Sequence, residues 1–76
     1  MDTEIKFETL DSLILYFIKV KGRNSFLTIQ EIIDLSHKHG EFECTVDSVR
    51  AKIIELAELR DLFTATKYGL IDSIGI

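Results

Sequence analysis

The strongest helical pattern of hydrophobic and polar positions in the chain lies between Thr45 and Phe63. At 100° per residue, one arc of this segment is apolar and contains Val46, Val49, Ile53, Leu56, Ala57 and Phe63. The opposite arc contains Asp47, Ala51, Glu55 and Glu58. Thr45 is a suitable N-cap, and the carboxylate of Asp47 in the first turn suits the positive end of the helix dipole. The pattern predicts a helix over residues 45–63 with one buried face and one solvent-facing face.

Two earlier segments also have a helical period. The first starts at the N-cap Thr9 and ends at Gly22. Its predicted buried stripe is Leu10, Leu13, Tyr16, Phe17 and Val20. Ile14, Leu15 and Ile18 extend the apolar surface over most of the circumference. Such a helix is either central in its domain or shared with another subunit.

The second of these segments begins at a capping box, in which Thr28 and Glu31 each accept a hydrogen bond from the backbone N–H of the other. Its apolar stripe is Ile29, Ile32, Ile33 and Leu35. Gly40 is the expected end of this helix.

Other apolar residues alternate with polar ones, which is typical of strands. Phe26 and Leu27 predict a short strand between the first two helices. Residues 63–67 and 70–74 lie on either side of Tyr68-Gly69 and predict a β-hairpin. Residues 1–8 form either a short strand or an ordered arm. The order is helix, short strand, helix, helix, hairpin, which makes a mainly helical α+β fold in a single domain over residues 1–76.

Size and composition argue against an enzyme. With 76 residues, of which 46% are hydrophobic, the chain can build one small core but no enclosed substrate cavity. It contains no Gly-rich phosphate loop, no nucleophile elbow and no paired-carboxylate motif. We therefore expect no catalytic residues, no small-molecule substrate and no cofactor.

The net charge of the chain and the length of its apolar runs limit the kinds of partner that it can bind. A formal charge of −4 argues against a non-specific nucleic-acid coat and against an anionic membrane surface, since both call for a basic excess. The longest apolar run, Leu13 to Ile18, is far shorter than the roughly 20 residues that span a bilayer. A single cysteine, Cys44, and the absence of an N-terminal leader predict a cytoplasmic protein.

A metal site is not expected. His37 and His39 lie about 200° apart on the second predicted helix, so both cannot point at one ion while the helix continues. His39 falls on the apolar side, where a packed or capping role is the commoner one. Cys44 has no histidine placed beside it by a motif, and we expect it to be a small buried or half-buried residue rather than a nucleophile.

Three groups of residues together resemble the winged helix-turn-helix family. They are Thr28-x-x-Glu31-Ile32-Ile33, Val49-x-x-x-Ile53-x-x-Leu56, and Leu62-Phe63 followed by Tyr68-Gly69-Leu70-Ile71. The resemblance covers residues 9–75. It implies three helices with a short C-terminal β-hairpin as the wing, and a small regulatory protein that reads duplex DNA through helix 45–63.

The resemblance also implies DNA-contacting residues. The candidates for base edges are Asp47, Ser48, Ala51 and Lys52, with Arg50 beside them. The candidates for phosphate contacts are Thr28, Gln30, Lys67 and Thr45. Residues 46–62, however, carry three basic and four acidic residues, a net charge of −1. Arg50 and Lys52 flank the exposed arc, whereas acidic residues occupy its centre, and such a face repels phosphate.

The acidic face supports an alternative, a protein-protein interaction module that acts as an adaptor or inhibitor. Its binding residues would be Asp47, Ala51, Ile54, Glu55 and Glu58, facing a basic protein surface. Ile54 on this arc either contacts the hairpin or the N-terminal arm, or belongs to the binding surface.

Two features of the first helix concern further partners. Lys19, Lys21 and Arg23 form a basic patch, which either complements the negative end of this helix or contacts phosphate or an acidic partner. The wide apolar circumference of the helix predicts a homodimer through it.

Overall fold

A computed structural model of the chain describes residues 7–23, 25–40 and 42–76. The helices are α1 (Leu10–Lys21), α2 (Ile29–His39) and α3 (Val46–Arg60). The strands are β1 (Phe26–Thr28), β2 (Phe63–Lys67) and β3 (Leu70–Gly75). The predicted order of elements and the mainly helical α+β fold with a C-terminal hairpin are therefore confirmed. Residues 1–6, which include most of the predicted arm, lie outside the described residues.

The three strands form one antiparallel sheet in the order β1-β3-β2. Strand β3 is the central strand. It pairs with β2 along one edge and with β1 along the other, where Leu27 lies opposite Ile74. The pairing of β2 with β3 shifts between Ala65 and Thr66, which leaves Asp72 of β3 as an extra residue. The hairpin is thus fixed to the region between α1 and α2 rather than projecting alone.

The hydrophobic core collects residues from all three helices and the sheet. Its fully buried members are Leu13, Ile14, Ile18, Leu27, Ile29, Ile32, Val49, Ile53, Leu56 and Ile74. Half-buried residues such as Ile33, Leu35 and Ala57 pack around it. The sequence left the first helix either central in its domain or shared with another subunit. In the structure α1 is central, since its residues Leu13, Ile14 and Ile18 are buried.

The predicted buried face of α1 is partly wrong. Tyr16 and Val20 are 39% and 62% exposed, whereas Ile14 and Ile18 are buried. A helix that is apolar over most of its circumference has no single face marked by periodicity, so its neighbours decide its rotation. In this fold α1 packs mainly against β1 and α2, and Ile14 and Ile18 enter the common core.

The third helix is shorter than predicted. It ends at Arg60 because Asp61 adopts a left-handed conformation with φ 55°, and the Leu62 N–H returns to the Ala57 carbonyl at 3.0 Å. Phe63 therefore begins β2 and is 66% exposed rather than buried on the helix. Val46, in the first turn, is 45% exposed and is also wrongly placed on the buried arc.

The helix starts are those predicted. The Glu31 N–H donates to Thr28 Oγ1 at 3.1 Å and the Thr28 N–H donates to Glu31 Oε1 at 3.3 Å, which confirms the capping box of α2. Thr45 caps α3 and forms a second capping box with Ser48, a serine at the position where glutamate is usual. Burial opposes ionisation of Glu31, but the Lys21 ammonium and the Thr28 N–H hold the pKa of Glu31 below its usual value.

Candidate functional site

One face of α3 is turned to solvent along its whole length. Asp47, Ala51, Ile54 and Glu58 follow one another at helical spacing and are all exposed. Glu55 lies at the margin of this stripe and is also exposed. We call these five residues the α3 outward face. The five predicted protein-binding residues thus lie together on one surface.

Ile54 is the apolar centre of the α3 outward face. Its side chain is 37% exposed, and it does not belong to the residues that pack on the core. Its neighbour Ile53 is completely buried. The sequence left open whether Ile54 contacts the hairpin or the N-terminal arm, or belongs to a binding surface. Residues 1–6 of that arm lie outside the described residues.

Arg50 is turned from the outward face toward the sheet. Its Nε donates to the Ile71 carbonyl oxygen of β3 at 3.0 Å, and its Nη1 pairs with Asp47 Oδ1 at 3.1 Å. Only 23% of its side chain is exposed. A guanidinium in this position joins α3 to β3 through its Nε–H, and a second donor is held by Asp47 of the same helix.

Lys52 is turned to the opposite side of α3. Its ammonium lies 3.0 Å from Asp11 Oδ1 in the first turn of α1 and 3.4 Å from Glu55 Oε1. The hydrogen bond to Asp11 raises the pKa of Lys52, and Glu55 adds to this while burial acts against it. Both cations in the first half of α3 are therefore paired with groups of the protein itself.

The other predicted DNA-contacting residues lie at the capping boxes, on the surface of α2, on the α3 outward face and at the hairpin tip. Thr28 and Ser48 use their hydroxyl groups in the two capping boxes. Gln30 donates to Asp34 at 3.3 Å on the surface of α2. Asp47 and Ala51 belong to the α3 outward face. Lys67 lies at the hairpin tip and is exposed.

The hairpin tip combines a cation, an aromatic ring and a strained backbone. Lys67 Nζ lies 5.6 Å from the centroid of the Tyr68 ring, and Tyr68 is 92% exposed. Tyr68 and Gly69 have φ of 54° and 78°, the positive values of a type I′ two-residue turn. Tyrosine is unfavourable at such a position, where asparagine and glycine are preferred.

Tyr68→Asn is expected to stabilise the domain by about 0.5–1 kcal/mol, because asparagine adopts positive φ at lower cost than tyrosine. The gain is reduced by loss of the exposed contact between Lys67 and the Tyr68 ring. Urea unfolding at equilibrium measures the change.

Gly69→Ala is the matched control and should destabilise the domain by a similar amount. No atom lies within 4 Å of the added Cβ, so its effect comes from the positive φ alone. Equal or lower stability of Tyr68→Asn relative to the wild type would contradict strain at Tyr68.

The basic patch at the end of α1 is divided by the fold. Lys21 donates to the Phe26 carbonyl oxygen at 3.2 Å and pairs with Glu31 at 3.0 Å, so it ties α1 to β1 and α2. Lys19 and Arg23 are exposed. All three residues of the patch are exposed, but Lys21 is paired within the domain, whereas Lys19 and Arg23 have no ion pair with another described residue.

Sequence reasoning missed two exposed apolar side chains near the end of α3. Leu59 is 71% exposed and did not enter the predicted sites, and Phe63 was assigned to the buried arc. The signal for Phe63 was the position at which the helix ends, whereas Leu59 lies inside α3 and outside the buried arc of Val49, Ile53 and Leu56. Once Asp61 terminates α3, Phe63 can no longer follow the helical arc.

The described residues contain no group of three histidine, cysteine or acidic side chains placed to hold a metal ion, and they enclose no pocket. None of the described helices has the length and apolar character needed to cross a bilayer. Comparisons with protein-family models, with curated proteins and with solved structures gave no match.

Proposed function

We propose that this chain is a non-enzymatic, cytoplasmic interaction module that binds a partner protein through the α3 outward face. The partner surface would be basic, with a small apolar area opposite Ile54 and Ala51. An adaptor or inhibitor role fits a domain of this size with one exposed helix face.

A single observation carries this proposal: two cations of α3, Arg50 and Lys52, are held against other elements of the domain, whereas the acids of the α3 outward face stay exposed even where they pair with these cations. Arg50 and Lys52 are held against β3 and α1, whereas the side chains of Asp47 and Glu55 are 96% and 58% exposed. Glu58 has no ion pair with another described residue. Charges of this sign attract a basic surface and repel phosphate.

A second candidate function, regulatory binding of duplex DNA, is supported by topology. The element order and the strand order β1-β3-β2 agree with the winged helix-turn-helix arrangement that the sequence resembles. α3 would then enter the major groove and Lys67 would reach the backbone from the hairpin. Fold likeness is an associational argument, and the charges of α3 oppose it.

A charge-reversal pair tests the first proposal. Glu55→Lys combined with Glu58→Lys should abolish capture of the partner from an extract of the native cell, with the captured protein identified by mass spectrometry. Asp34→Lys combined with Glu43→Lys changes the net charge equally at exposed positions outside the α3 outward face. This control should retain the same protein, and equal capture by both double variants would contradict the proposal.

The same proteins separate the two candidate functions. A DNA-binding domain would bind duplex DNA at low salt, lose affinity steeply as salt increases, and gain affinity when Glu55 and Glu58 become lysine. The protein-binding proposal predicts no duplex binding by the wild type at low salt. Fluorescence anisotropy with a labelled duplex measures it.

A homodimer through α1 remains a separate proposal with a smaller surface than the sequence suggested. The hydrophobic core buries three apolar side chains of α1, those of Leu13, Ile14 and Ile18. The exposed apolar side chains left on α1 are Tyr16 and Val20.

A further inference from the structure

The two edges of the sheet differ in their access to another strand. β1 is three residues long, leads directly into α2, and has one carbonyl, that of Phe26, bound by the Lys21 ammonium. β2 is five residues long and forms the other edge. The extra residue of the bulge in the hairpin, Asp72, lies in β3, so β2 itself contains no inserted residue.

The β2 edge has few of the features that prevent strands from pairing between molecules. Natural edge strands are commonly protected by charged side chains, proline or bulges. The sequence of β2 is Phe-Thr-Ala-Thr-Lys, in which only the last residue is charged and none is proline. Phe63 at its start is 66% exposed. The edge is therefore competent to accept a strand.

We propose that β2 pairs antiparallel with β2 of a second copy of this chain, across a two-fold axis at Ala65. In this register Phe63 lies opposite Lys67 of the second copy, and Thr64 lies opposite its Thr66. The two three-stranded sheets become one continuous sheet of six strands. Phe63 and Lys67 share a face of β2 because they are an even number of residues apart.

Charge selects a second copy over an unrelated strand. The two-fold axis places each Lys67 opposite an aromatic ring and away from the other Lys67, so no like charges are opposed. Because symmetry repeats the arrangement, a cation meets an aromatic ring at both ends of the paired strands.

Cysteine cross-linking tests the register. In a Cys44→Ser background, Ala65→Cys places thiols opposite each other at the axis. Directly opposed residues have Cβ atoms about 4.5–5.5 Å apart, close to the separation that a disulfide spans. Val20→Cys in the same background is the control, since Val20 is exposed on α1. Ala65→Cys should give covalent dimer under mild oxidation. Val20→Cys, which lies on the surface of the separate α1 dimer proposal, should give no covalent dimer.

Sedimentation equilibrium of proteins without introduced cysteine gives an independent reading. The wild type should show a concentration-dependent dimer. Lys67→Glu should weaken that dimer at least tenfold, because it replaces the cation opposite the Phe63 ring of the second copy with an acid. Lys38→Glu is the matched control at an exposed position of α2 and should leave the dimer unchanged.

Three results would overturn the proposal: a wild type that is monomeric at every concentration, cross-linking through Val20→Cys but not Ala65→Cys, or equal weakening by Lys67→Glu and Lys38→Glu. Circular dichroism of each variant establishes that it is folded. If Ala65→Cys does not fold, the comparison of Lys67→Glu with Lys38→Glu tests the proposal by itself, because both lysine side chains are exposed. The capture experiment uses substitutions at Glu55 and Glu58, so its result is independent of the measurement of dimer formation.

Discussion

Ile53→Ala is expected to destabilise the domain by about 2–5 kcal/mol, the usual range when a fully buried isoleucine is truncated and leaves a cavity. Ile53 is completely buried between the helices and the sheet. A domain of 76 residues has roughly 4–11 kcal/mol of stability in total, so this one change removes a large share of it. The free energy of unfolding from urea titration measures the effect.

Ile54→Ala is the matched control, because it removes the same atoms one residue further along α3. Its side chain is 37% exposed and faces solvent, so we expect a stability loss of no more than about 1 kcal/mol. The same variant should weaken capture of a partner protein if Ile54 is the apolar centre of the α3 outward face. A larger stability loss at Ile54 than at Ile53 would contradict the orientation of α3 described above.

Arg50→Ala has the second largest expected effect, a loss of about 1–3 kcal/mol. The substitution removes the hydrogen bond from Nε to the Ile71 carbonyl oxygen and the packing of the half-buried side chain between α3 and β3. Arg50→Lys should recover only part of the loss, because an ammonium cannot reproduce the geometry of the guanidinium. Thermal unfolding followed by circular dichroism measures both variants.

Arg60→Ala provides the control for Arg50, since it removes the same charge from an exposed position in the last turn of α3. Its effect should stay within about 0.5 kcal/mol. Equal stability of Arg50→Ala and Arg60→Ala would show that the Arg50 contact with β3 is not structural. Arg50 would then again be available as a DNA contact.

These predictions depend on features that the sequence revealed to different degrees. The starts of all three helices, the capping box at Thr28 and the turn at Tyr68-Gly69 were predicted and are present. Such features are local: the residues that make them are at most three positions apart. The buried face of α2 and the core residues of α3 from Val49 to Leu56 followed from periodicity, because polar residues mark the opposite side of each helix.

The candidate site was predicted in part. The spacing of Asp47, Ala51, Ile54 and Glu58 was enough to place them on one exposed face. The direction in which Arg50 and Lys52 point was not accessible, because their partners Ile71 and Asp11 are far away in the sequence. Phe63 was misplaced because one left-handed residue, Asp61, decides where α3 ends.

By itself the sequence determined the order of the elements, their caps and turn, and the acidic character of the α3 outward face, since each depends on neighbouring residues or on helical spacing. Only the tertiary structure decided which side of α1 is buried and that β1 joins the hairpin on the far edge of β3. It also decided that Arg50 and Lys52 bind β3 and α1. Those outcomes depend on packing between segments that are distant in the chain, and no local pattern encodes which distant group a side chain will meet.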